Sequence, residues 1–174
     1  MSKIYQKSLV IGAGSIGLRH IEVLNNIGQK TAVVTKRNDL KLYKYNDTKS
    51  ALYNFEPDYI IIANETNRHI SELQKILDYG YKNKILIEKP ISNNLEEQKL
   101  LNVSNKHIYV GYNLRYHPFI KFIKKLMKKE NVLSVNIYVG QFLPDWRPKR
   151  KYNKTYSSDK QKGGGVLLEL SHEI

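Results

Sequence analysis

The stretch Ser8-Leu9-Val10-Ile11-Gly12-Ala13-Gly14-Ser15-Ile16-Gly17 decides the fold. Its first four residues form a short apolar run that reads as a buried strand. The run breaks at G-x-G-x-x-G, and a helical pattern then runs from Ser15 to Asn26 until Gly28 stops it. Ile16, Leu18, Ile21, Val23 and Leu24 are the expected buried side of that helix. Between a strand and a helix each glycine has its own task. Gly12 permits the tight turn, Gly14 lets an anion approach the backbone, and Gly17 allows helix and strand to pack closely. The helix start adds N–H groups and partial positive charge. Gly12, Gly14, Ser15, Ile16 and Gly17 are therefore expected to seat the pyrophosphate of a dinucleotide.

Working outward, short apolar runs alternate with longer helical segments, the pattern of βαβ units and a parallel sheet. Strands are expected at Thr31–Thr35, Tyr59–Ala63, Lys84–Ile87 and Ile108–Val110. Helices are expected at Lys49–Phe55, at Asn67–Tyr79 ending on Gly80, and at Leu95–Val103. The continuous run Tyr59-Ile60-Ile61-Ile62-Ala63 suits a strand covered on both faces. The fold class is α/β, a Rossmann doubly wound parallel sheet, with residues 1–120 as the dinucleotide domain.

Beyond it the texture changes. Pro118 opens a helix over Phe119–Lys129 with one apolar face and one lysine face. Val132–Val139 alternates like a half-exposed strand of a different sheet. A polar, basic loop over residues 144–164 follows, and a last helix starts at Val166. Residues 121–174 read as the incomplete beginning of a second, α+β domain.

Composition narrows the choices further. The chain of 174 residues is 41% hydrophobic and 26% charged, as in globular proteins, and no apolar run reaches membrane-span length. There is no cysteine, hence no disulfide and no thiolate metal site, and the histidine spacing suggests no metal. The N-terminus has no secretory pattern, so the expected location is the cytoplasm. The net charge of +13 raises the question of nucleic acid. Yet residues 118–174 hold 12 basic and 5 acidic residues, and the excess continues through the rest of the chain. A lysine-rich solvated surface accounts for that spread better than a nucleic-acid groove or a membrane-binding face. The expected partner is a small molecule.

The second strand ends Val34-Thr35-Lys36-Arg37, about 20 residues past the glycines, where an acid usually takes the ribose 2′-OH of NAD. No acid appears before Asp39. A hydroxyl and two cations, Thr35, Lys36 and Arg37, favour NADP within the wider NAD(P) reading, with Arg37 able to grip a 2′-phosphate bidentately.

Ligands of such sheets collect beyond the carboxyl ends of the strands. Three later ends carry polar residues: Asn64-Glu65-Thr66-Asn67-Arg68-His69, Glu88-Lys89-Pro90 and Gly111-Tyr112-Asn113-Leu114-Arg115. With Arg19-His20 after the glycine loop, and Gly163-Gly164-Gly165 leading to His172, these motifs stand in the order of a known family. The chain resembles the N-terminal portion of the glucose–fructose oxidoreductase / inositol dehydrogenase / MocA (Gfo/Idh/MocA) family of sugar oxidoreductases.

The resemblance implies a catalytic Lys89 beside the nicotinamide and His172 as general acid/base. Hydride transfer needs a proton carrier near neutral pH, and an ammonium can stabilise developing negative charge. It further implies that Asn64, Thr66, His69 and Glu88 line the cofactor and that Arg115 and Tyr116 face the substrate. The family commonly carries Asp four residues before the helical histidine. Here Leu168 stands in that place, and Glu169, three before His172, is left to orient it.

The segment around Trp146 and Arg147 looks like a subgroup linked to bacterial surface-polysaccharide or sialic-acid-like sugars. Trp146 would stack on a sugar, and Arg147 or Lys162 would meet a phosphate or carboxylate. The family continues past His172 with most of a second domain that often mediates homo-oligomers. The chain thus reads as truncated, with impaired activity expected; a non-catalytic dinucleotide-binding module is the alternative.

Overall fold

The computed structural model describes residues 6–94, 96, 107–146 and 151–170. The chain divides into two compact units, Met1–Val110 and Gly111–Ile174.

The first unit is a parallel sheet of six strands: β1 (Lys7–Ile11), β2 (Lys30–Val34), β3 (Lys44–Tyr45), β4 (Tyr59–Ile62), β5 (Lys84–Ile87) and β6 (Ile108–Val110). Their order is β3-β2-β1-β4-β5-β6. Every neighbouring pair is parallel, with Val10 opposite Val33 on one side and Ile61 on the other. The order reverses between β1 and β4, so their carboxyl ends diverge into a crevice. The doubly wound α/β class read from the sequence is the fold found. β3 is an addition, a two-residue edge strand too short to show a period.

Alternation along the strands builds the two apolar layers. Leu9, Ile11, Ile60 and Ile62 face one layer with Ala51, Leu52 and Phe55 of α2 (Thr48–Phe55) and Leu73 and Ile76 of α3 (His69–Asp78). Val10, Val33 and Ile61 face the other, with Ile21 and Leu24 of α1 (Ser15–Asn26). The isoleucine run of β4 is buried on both faces because helices cover both.

Asp47 caps α2, its carboxylate accepting from the Ser50 N–H at 2.8 Å. Glu72 of α3 lies buried and accepts from the Thr48 hydroxyl at 2.6 Å, joining the two helices. On α1 the buried face is Gly17, Ile21 and Leu24, with Leu18 partly buried. Ile16 and Val23 are exposed, contrary to the expected buried side. They lie seven residues apart on one stripe, about 100° around the helix from Gly17 and Leu24.

In the second unit a 3-10 turn (Asn113–Tyr116) leads to α4 (Pro118–Met127). Pro118 occupies the first turn, and the His117 ring accepts from the Phe119 N–H at 3.2 Å. α5 (Leu143–Trp146), three short 3-10 turns and α6 (Val166–Leu170) follow. The strand expected at Val132–Val139 does not form. Alternation cannot make a strand without a neighbour for its N–H and C=O groups, and no described residue pairs with it. Leu133 is accordingly 91% exposed. The described part of this unit is helix, turn and coil. The helix expected at Leu95–Val103 lies outside the described residues. No helix among the described residues is long and apolar enough to cross a membrane.

Candidate cofactor-binding site

The glycine loop is shaped by two close approaches and one opening. Gly12 has φ of +104°, and a Cβ there would lie 2.7 Å from Ala63 O and from Asn64 N and Cα. Only a glycine lets the exit of β1 pass so near the exit of β4. A Cβ on Gly17 would lie 2.1 Å from the Gly12 carbonyl oxygen. Gly14 differs, since a Cβ there would meet nothing within 4 Å. Gly14 is also the N-cap of α1, with no side-chain cap and no acid in the first turn. Ser15 and Ile16, both exposed, complete that turn. A helix start left without a side-chain cap beside open space could hold an anion on its first N–H groups.

The loop after β2 is tied to this one. Arg37 Nη1 donates to Ala13 O at 2.8 Å, while Nε and Nη2 donate to the two Asp39 oxygens at 3.1 and 2.6 Å. The Arg37 N–H donates to Thr35 Oγ1 at 3.2 Å, and Lys36 is exposed. The Arg37 bond holds the Asp39 carboxyl below the usual carboxylate range. The guanidinium that the sequence assigns to a 2′-phosphate thus already holds an acid. The sequence signal for this was weak, because Asp39 lies past the position where the motif places its acid.

After β4 and β5 the chain is braced by two histidines. His69 is buried, with Nδ1 2.9 Å from Pro90 O and Nε2 3.2 Å from Asn64 O. Its imidazole therefore spans two loops. A neutral ring has one N–H to donate, and burial works against the second proton. His20, on α1, places Nε2 2.7 Å from Glu88 Oε1. Glu88 Oε2 accepts from the Lys89 N–H at 3.3 Å, and the Glu88 N–H donates to Ile62 O at 2.9 Å. Lys89-Pro90 is a cis peptide. Glu88-Lys89-Pro90 is thus held at its carboxylate, its backbone and its last carbonyl. Thr66 is buried. The Asn64 carboxamide is shielded, with neither its oxygen nor its nitrogen hydrogen-bonded.

The sequence profile of the GFO_IDH_MocA family, described as an oxidoreductase family with an NAD-binding Rossmann fold, matches residues 6–107. The chain belongs to this family. No curated protein matches it significantly. Among solved structures it is similar to myo-inositol dehydrogenase from Lactobacillus casei in complex with NAD(H) and myo-inositol. That likeness has 28% identity and a TM-score of 0.63, covering 72% of this chain and 42% of that one. The WlbA dehydrogenase from Bordetella pertussis, solved with NADH and UDP-GlcNAcA, shares the fold at 14% identity and TM-score 0.60, over 71% and 42% of the chains. The UDP-N-acetylglucosamine 3-dehydrogenase GnnA from Acidithiobacillus ferrooxidans does so at 22% and 0.57, over 71% and 44%. The chain spans less than half the length of these solved relatives.

The remaining Gfo/Idh/MocA motif positions fall in the second unit. Arg115 stacks its guanidinium 5.5 Å from the Tyr112 ring, and Lys121 lies over the Tyr116 ring at 5.8 Å. Trp146 ends α5, and Lys162 pairs with Asp159 at 3.3 Å. Glu169 is buried and accepts from the Ser157 hydroxyl at 2.9 Å. The triple glycine has a steric reason of its own, since a Cβ on Gly164 would lie 2.2 Å from Tyr156 O. Arg147 and His172 lie outside the described residues. The His20–Glu88 contact escaped the motif reading of His20, because the two residues are 68 positions apart.

Proposed function

We propose that this chain binds a nicotinamide dinucleotide and serves an oxidoreductase that moves hydride at a carbinol or carbonyl carbon of a sugar or polyol. The observation that carries this reading is the α1 amino terminus without a side-chain cap, set behind a loop in which Gly12 and Gly17 admit no Cβ while Gly14 faces open space. The residues present fit the cofactor. Backbone N–H groups at Gly14, Ser15 and Ile16 would hold the pyrophosphate, and the loop from Thr35 to Asp39 the adenosine ribose. The Asn64 carboxamide, shielded and without a hydrogen bond, would gain partners from the bound nucleotide.

When bound, the nicotinamide supplies the hydride acceptor or donor. Lys89 would then hold its ammonium beside the substrate oxygen and stabilise negative charge as it develops. The brace on Glu88 and Pro90 supports that role, because a catalytic cation must be positioned before it can act. His172 would carry the proton. A Gfo/Idh/MocA relative solved with NAD(H) and myo-inositol, and another with NADH and UDP-GlcNAcA, support a polyol or nucleotide-activated sugar as the substrate class. A chain without cysteine suits the reducing cytoplasm.

Calorimetric titration with NADH and NADPH tests the first half of this proposal. Heat saturating at one site is expected, and a folded sample that binds neither overturns it. NAD(P)+ reduction with myo-inositol and UDP-sugars, compared between wild type and Lys89→Ala, tests the second. Lys89→Ala should bind nucleotide as wild type does while losing turnover, and equal turnover in both removes Lys89 from the chemistry.

A further inference from the structure

We propose that His20 is a positioning residue for Lys89. Acting through Glu88, it fastens the helix that starts at the glycine loop to the strand end that carries the lysine. The proposal rests on the reading above that sets Lys89 beside the nicotinamide, and it names the residue that holds the lysine there.

Lys89 stands two residues past the end of β5. The Glu88 N–H still donates across to Ile62 O of β4 at 2.9 Å. The Lys89 N–H is given to Glu88 Oε2 at 3.3 Å, a long bond between adjacent residues and a weak one by itself. The set of the Lys89 backbone therefore depends on where the Glu88 carboxylate is held. Its other oxygen, Oε1, is 2.7 Å from His20 Nε2, and the two side chains are only 22% and 14% exposed. A carboxylate only accepts, so the Nε2–H donates, in the neutral ring as in the charged one. Such a bond is among the strong ones, and burial keeps water from competing for it.

The position of His20 gives that bond its reach. It lies on α1, the helix whose first N–H groups would hold the pyrophosphate. The two halves of the dinucleotide would thus rest on elements joined by one side-chain contact between residues 68 apart in sequence. On the far side of the lysine, Pro90 O is 2.9 Å from His69 Nδ1, so Lys89 is framed by a histidine contact at each neighbour. Only the His20 contact comes from the glycine-loop helix. Without the imidazole, Glu88 Oε1 loses its donor in a site with little water, and the carboxylate turns toward another partner. The Lys89 N–H then loses its acceptor, and the ammonium its fixed place.

The experiment is amine acetylation followed by peptide mass spectrometry, with and without NADH, on wild type, His20→Leu and His20→Gln. Exposed Lys49 is the internal reference, and circular dichroism the folding control. With NADH set about tenfold above each variant's own dissociation constant, a lysine masked by the bound nicotinamide should label about tenfold more slowly in wild type. His20→Leu should still bind NADH but slow Lys89 labelling less than about twofold, the masking lost with one charged hydrogen bond. His20→Gln keeps an N–H donor at about the reach of Nε2 and should regain most of the masking. Glu88→Ala removes the acceptor instead and carries the same expectation as His20→Leu, should that variant not fold. Masking in His20→Leu equal to wild type overturns the proposal, as does a loss that His20→Gln does not restore, since packing alone would explain it. A wild type that binds NADH without masking Lys89 overturns the placement of Lys89 beside the nicotinamide, and this proposal with it. A folded wild type that binds no NADH overturns the dinucleotide reading itself.

Discussion

Gly17→Ala should damage the fold, and Gly14→Ala should act chiefly on the ligand site. At Gly17 the added Cβ would sit 2.1 Å from Gly12 O. Carbon–oxygen contacts of this kind begin near about 3.3 Å, so the overlap is about 1.2 Å. The atom met is backbone, which cannot rotate away as a flexible side chain would. Overpacking costs about 1–3 kcal/mol, and a backbone clash belongs at the upper end. Alanine regains about 1 kcal/mol of helix propensity at most. The net loss is about 2 kcal/mol, or about 6 °C in Tm for a chain of this size.

At Gly14 the Cβ meets nothing, and φ of −74° suits any residue. Alanine is a poorer N-cap than glycine, so about 0.5–1 kcal/mol is the expected cost there. The methyl does, however, enter the space through which a pyrophosphate would approach the N–H groups. Thermal melts without nucleotide, paired with NADH titration, separate the two effects. Gly17→Ala should melt clearly below Gly14→Ala, and Gly14→Ala should bind NADH at least about tenfold more weakly than wild type. A Gly17→Ala protein as stable as wild type, or undiminished NADH binding by Gly14→Ala, refutes the steric reasoning.

Burial lowers the pKa of His69 from its ordinary 6.5, so the unfolded chain binds the extra proton first as pH falls. The stabilising contribution of the neutral ring is present above about pH 6.5 and declines as pH drops toward the folded value. Urea denaturation at about pH 7.5 and about pH 5.5 should show stability lost at the lower pH in wild type, and a smaller loss in His69→Gln. Thr48→Val keeps the side-chain shape but removes the 2.6 Å donor to buried Glu72, which should cost about 1–3 kcal/mol. An unchanged urea midpoint shows that the α2–α3 link contributes nothing. Asp47→Ala removes the cap of α2 and should cost about 1 kcal/mol by the same measurement.

The sheet was legible because its signals are local. The continuous isoleucine run in β4, the glycines after β1 and the glycine stops after α1 and α3 each act within a few residues. Val132–Val139 misled because its alternation is equally local, whereas a strand depends on a partner segment. Ile16 and Val23 misled because apolar character was counted without the angle each makes around the helix axis. Within the site, the motifs named Glu88, Lys89 and His69 as a group, but not which of them touch.

Sequence by itself determined the doubly wound sheet, the glycine loop and the family, because apolar runs, helix stops and glycine spacing are written in consecutive residues. Tertiary structure alone decided that His20 meets Glu88, that His69 spans Asn64 and Pro90, and that Asp39 meets Arg37 side-on. The histidine contacts depend on how loops from separate strands converge at one sheet edge. The third depends on a turn that folds Asp39 back onto Arg37, and spacing along the chain does not encode that direction.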